Sequence, residues 1–120
     1  KWETTMKLWL LRIDFDGDLK PIGVTDVETG EDAWTFHAKA SDIIRWEAGG
    51  SKFNLIFKDL PPFDWDGGSK KKGTKVSASK WQLVDVVKAG AVPPGQDSKR
   101  FEYTIDTPDW ELDPAIIIDK

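Results

Sequence analysis

The side chains present limit what chemistry this chain can do. Its 120 residues include one histidine and no cysteine. Without cysteine there is no thiolate nucleophile, no disulfide and no Cys-based zinc or iron–sulfur site. The histidine, His37, lies in a stretch where Trp34, Phe36 and Ala38 alternate with Thr35, His37 and Lys39. That period of two marks a strand and puts His37 on its outward face. A catalytic histidine needs a nucleophile or a carboxylate in reach. No Gly-x-Ser-x-Gly motif is present, so His37 reads as a surface residue.

Asp14, Asp16 and Asp18 are spaced like the opening of a calcium loop. Such a loop needs Gly at its sixth position and Glu at its twelfth. Leu19 and Thr25 stand there instead, so a turn around Gly17 is the stronger reading and a metal site the weaker alternative. Asp64-x-Asp66-Gly67 is a fainter echo of the same pattern.

Seven tryptophans are many for this length. Trp34 and Trp46 occupy core positions by register, and Trp81 fits one too. Trp65 (in FDWDGG) and Trp110 (in TPDWELDP) fall in loops. Exposed there, they could stack on sugar rings or anchor a partner, which makes them the candidate ligand-binding residues. The competing role is to cap the open ends of a β-sandwich, since large aromatics are mostly buried.

The net charge is −4, with a pI near 5.0. The only basic run, Lys70-Lys71-Lys72, sits among Gly67, Gly68 and Gly73 and reads as a solvated loop. Nucleic acid is therefore not an expected partner. No apolar run is long enough for a membrane helix, so membrane insertion is not expected either. If Met6 were an initiator, Lys7–Leu11 would make a poor signal peptide, because Arg12 and Asp14 follow at once. The compartment stays open.

The elements that would position these residues are short strands. Lys1–Thr5 is polar and reads as a frayed end or an expression remnant. Met6–Ile13 is nearly all apolar, which suits a strand covered on both faces. Leu19–Thr25 contains Pro21 and belongs at an edge. Ile43–Phe63 predicts a hairpin: Ile44 and Trp46 alternate with polar residues, as do Phe53, Leu55 and Phe57. Ala48-Gly49-Gly50-Ser51 lies between, and Pro61-Pro62 ends the second strand. Asp64–Lys75 predicts a long loop and Lys75–Ser79 a short strand. Trp81–Lys88 fits either a strand or a helical face, and its β-branched content favours the strand. Phe101, Tyr103 and Ile105 mark another strand, Thr107–Pro114 a loop and Ala115–Asp119 a last strand. Seven to nine such strands indicate one all-β domain over residues 1–120, a Greek-key sandwich.

Two of these strands carry a family pattern. Phe53-Asn54-Leu55-Ile56-Phe57 resembles the His-Asn-Val-x-Phe strand of cupredoxins, and Phe101-Glu102-Tyr103-Thr104-Ile105 resembles their aromatic-x-Tyr-x-Cys strand. The resemblance runs from about Trp34 to Lys120 and implies a cupredoxin-like sandwich, with an immunoglobulin-like one as the alternative. It also implies that Glu47–Ser51 and Asp106–Pro114 are neighbours at one end. Phe53 stands where the first copper-binding His would be, and Ile105 where the Cys would be. The following loop has neither His nor Met. A type 1 copper site needs two imidazoles and a thiolate. The expectation is a copper-free sandwich with no cofactor, acting as a non-enzymatic module that binds a protein or a glycan. A carbohydrate-binding module using Trp65 and Trp110 is the rival reading, and a hydrolytic enzyme comes third.

Overall fold

The computed structural model describes residues 6–120. The expectation for Lys1–Thr5 lies outside the described residues. Strands numbered in chain order form two sheets. Sheet 1 is ordered β2 (Pro21–Asp26), β1 (Leu8–Phe15), β4 (Ile43–Gly49), β8 (Lys80–Val86) and β7 (Thr74–Ser77). Sheet 2 is ordered β3 (Thr35–Lys39), β11 (Ala115–Asp119), β9 (Ser98–Asp106), β5 (Asn54–Phe57) and β6 (Lys70–Lys72), with β10 (Glu111–Leu112) beside the end of β9. The chain is an all-β sandwich of two sheets, as the sequence pattern implies.

Alternation builds the core. Leu11 and Ile13 of β1, Ile44 and Trp46 of β4 and Leu83 of β8 point inward from sheet 1. Phe36, Leu55, Phe57, Tyr103, Ile105, Ile116 and Ile118 meet them from sheet 2. The fully buried Trp46 donates its indole N–H to the Tyr103 hydroxyl at 3.2 Å, which satisfies both polar tips between the sheets. Burial pushes the Tyr103 phenol well above its ordinary range, because the phenolate would lose its hydration.

The predicted hairpin over Ile43–Phe63 is corrected. β4 pairs with β1 and β8, while β5 pairs with β6 and β9, so the two strands lie in opposite sheets. Gly49–Phe53 is an arch over the core. Its Gly50 amide donates to the Ser79 carbonyl at 2.6 Å rather than across a hairpin. Gly50 has φ +89°, where a side chain is strained. Alternating apolar residues look the same in a hairpin and in an arch. In the first they share a face, and in the second they face each other.

Other expectations shift as well. β1 is covered on one face only: Leu11 and Ile13 are buried, but Leu8 is 43% exposed. Lys70–Lys72 is strand β6 rather than loop, paired with Asn54–Ile56. All three lysines are exposed, which suits an edge that must not recruit further strands. One residue later the chain joins sheet 1 as β7. The residue between is Gly73, where an added Cβ would lie 2.9 Å from the Phe53 ring. Thr107–Pro114 is not all loop, since β10 pairs Glu111 with Asp106 and Leu112 with Ile105. These small strands bring the total to eleven among the described residues, above the seven to nine expected. Trp81–Lys88 resolves as strand β8, and Pro21 opens the edge strand β2.

Candidate functional site at the arch end

β1 and β4 run parallel and finish side by side, with Ile13 opposite Ala48. β8 begins there, with Lys80 opposite Gly49. β9 ends there too, with Asp106 opposite Asn54. The turn after β1, the arch and the β9–β10 turn therefore gather at one end of the sandwich. Glu47–Ser51 and Asp106–Pro114 are neighbours, and a depression of about 330 Å³ lies between the turns.

Trp110 stands on the rim of this depression. The backbone N–H and hydroxyl of Thr107 both donate to the Trp110 carbonyl, at 2.9 and 3.1 Å. Thr107 is itself buried, so the turn is tied to the core while the indole points out, 41% exposed. The Lys20 ammonium lies 4.9 Å from its ring centroid. Half-buried Trp81, from the start of β8, lines the depression as well, with the Lys75 ammonium 5.4 Å from its ring. Leu19 completes the apolar surface, 45% exposed. It has φ +61°, a backbone conformation rarely taken by a branched residue. Asp18, Lys52 and Asp109 supply charge around the same depression.

The three early aspartates do different jobs and do not converge on a metal. Asp16 accepts backbone N–H groups from Lys20 at 3.0 Å and Asp18 at 2.9 Å, closing the turn. These bonds, the one from Lys20 first, hold its carboxyl below the ordinary range. Asp14 pairs with Arg12 at 2.7 Å and accepts from the Thr25 hydroxyl. Asp18 alone faces the depression. Gly17 lies in a turn, as expected, and the positive φ in this segment falls at Leu19. Among the described residues no three His, Cys, Asp or Glu side chains are grouped to hold a metal.

Phe53 and Ile105 are buried, 2% and 0% exposed, and belong to the core beneath this end. They present carbon only, so the donors a type 1 copper ion needs are not there. The residues at these two positions do not fit copper.

Trp65 takes the capping role. It is half-buried, stacks on Phe63 at 5.5 Å, meets Phe57 edge-on at 5.4 Å and donates its indole N–H to Asp85 at 2.7 Å. Of the two roles left open for Trp65, this setting is that of a cap, because Asp85 and the two phenylalanines draw the ring in. Trp34 is half-buried rather than a full core residue. His37 is exposed on edge strand β3, as its register implied. Its Nδ1 lies 3.0 Å from an Asp119 oxygen, a partner that only the parallel β3–β11 pairing could supply. Sequence reasoning also missed Trp81 and Leu19 as neighbours of Trp110. Three turns far apart in the chain bring them together, and no local signal announces it.

No family model matches the chain, and no curated protein does. Solved structures do. A mutant of amicyanin in its reduced Cu(I) form at pH 4 is 10% identical, with a TM-score of 0.43, over 99% of this chain and 87% of that one. The McoA multicopper oxidase from the hyperthermophile Aquifex aeolicus is 10% identical, with a TM-score of 0.44, over 96% of this chain and 30% of that one.

Proposed function

We propose that this chain is a non-enzymatic binding module whose working surface is the arch end around Trp110. The observation that carries this reading is a tryptophan turned outward on a turn whose backbone is pinned to the core. Rigid scaffolds commonly carry their binding groups on such end loops, and tryptophan is a frequent interface anchor. The outward Leu19, held at positive φ, adds to the same surface. Trp65 is given no part in binding, since its ring and its N–H are already engaged. His37 and Asp119 lie apart, on the outward face of sheet 2, and are read as a surface pair.

The test compares stability with binding. Trp110→Ala is expected to leave the melting temperature within about 2 °C, the scale of a surface substitution. Retention on an identified partner or glycan should fall sharply in the same variant. A variant that melts as the parent does and binds as the parent does would remove this end from consideration.

A further inference from the structure

The charges around Trp110 and Trp81 narrow the class of ligand, given the reading above that this end binds. Asp18, Asp109 and Lys52 line the depression, so carboxylates and an ammonium share one small surface. No ion pair among the described residues uses any of the three, although carboxylates and lysines elsewhere do pair. An anion entering here meets two carboxylates. A cation meets Lys52, with Lys20 and Lys75 already held over the two indoles. A protein anchor would bring an apolar centre, and interface centres are depleted of charge. Charges of both signs beside an open aromatic face suit a neutral molecule rich in hydroxyls. Each hydroxyl can donate to a carboxylate and accept from an ammonium. A pyranose also offers an apolar C–H face that an indole can cover. We infer that the arch end binds a neutral glycan. One sugar ring lies against Trp110, Asp18 and Asp109 accept from its hydroxyls, and Lys52 donates to them. In this arrangement Lys20 is a weakly held lid on the indole that the sugar displaces.

The test uses the full chain labelled with ¹⁵N and follows its indole N–H resonances by NMR. The probes are cellohexaose, xylohexaose and mannohexaose as neutral ligands and hexagalacturonate as an acidic one. The expected result is that at least one neutral hexasaccharide moves the Trp110 and Trp81 resonances. Trp110→Ala should weaken that binding at least tenfold, and Asp109→Ala several-fold. Lys20→Ala should hold or strengthen it. Asp109 and Lys20 are exposed, so their variants carry the test should Trp110→Ala fail to fold. Binding of hexagalacturonate alone, lost in Lys20→Ala, would overturn the neutral class and leave the surface standing. If no hexasaccharide moved any indole at millimolar concentration, the glycan class would fall. The surface would then be judged by the Trp110→Ala test on a protein partner. Neutral binding that moved other indoles and survived Trp110→Ala would overturn both readings.

Discussion

Phe63-Asp64-Trp65-Asp66 and Pro108-Asp109-Trp110-Glu111 set a tryptophan between acidic residues in the same way, yet the fold treats the two oppositely. Trp65 is drawn in by partners on two other strands: Phe57 on β5 and the Asp85 carboxylate on β8. That carboxylate also takes the Lys71 ammonium at 2.8 Å, so one acid ties the loop to an edge strand. Trp110 has its carbonyl fixed, but among the described residues its ring makes no aromatic contact and meets a lysine ammonium. An indole is turned in where the fold offers both apolar faces and an acceptor for its N–H. Where the fold fixes only the backbone, the ring stays available.

This contrast can be broken in several ways. The largest effect is expected where the capped region meets the core. Phe57→Ala removes a buried ring that stacks on Tyr103 at 5.2 Å and also touches Phe63 and Trp65, and should cost about 3–5 kcal/mol in urea unfolding. A loss below about 1 kcal/mol would mean that the cap does not rest on this ring. Next comes Trp65→Ala, which should cost about 2–3 kcal/mol, less than a full burial value because the residue keeps some exposure. Equal costs for Trp65→Ala and Trp110→Ala would erase the contrast.

A third test uses pH. Tyr103 is the only tyrosine, so absorbance of its phenolate reports one site. The folded protein holds the phenol above its ordinary value, so the unfolded chain gives up this proton first. Tyr103 therefore contributes stability that is present below about pH 10 and falls as pH rises, by up to about 1.4 kcal/mol per unit. Phenolate absorbance should appear only together with loss of circular dichroism. Ionisation near pH 10 with the fold intact would show that the Trp46–Tyr103 pair is open to water. The smallest effect belongs to Trp110→Ala, expected within about 0.5 kcal/mol of the parent. A loss of about 1 kcal/mol or more would make Trp110 a second cap.

The sequence disclosed the sandwich because burial imposes alternation on strands with one wet face. Trp46, Leu55, Phe57 and Tyr103 all lie inward as their spacing says. It did not disclose partners. Nothing in Ile43–Phe57 tells an arch from a hairpin, since the choice depends on which strands occupy the edges of β4 and β5, here β1 and β8 for one and β6 and β9 for the other. Strand β6 was hidden for a different reason: an edge strand exposed on both faces carries no alternation to read. Trp110 was correctly placed outside the strands, while its setting was not legible. Leu19, Lys52 and Trp81 meet beside it only once both sheets have formed.

The place of β11 bears on how the protein is made. This strand fills the slot between β3 and β9, where Ile116 and Ile118 are buried, yet it is synthesised after the ten other described strands. Strand β3 ends at Lys39 and its neighbour begins at Ala115, so β3 waits for 76 further residues before it can pair. At typical synthesis rates that delay is on the order of 5–15 s. Throughout it, Phe36 and Ala38 have no sheet to join. A nascent chain halted before residue 115 should bind chaperones and be cut by proteases, and releasing five more residues should end both.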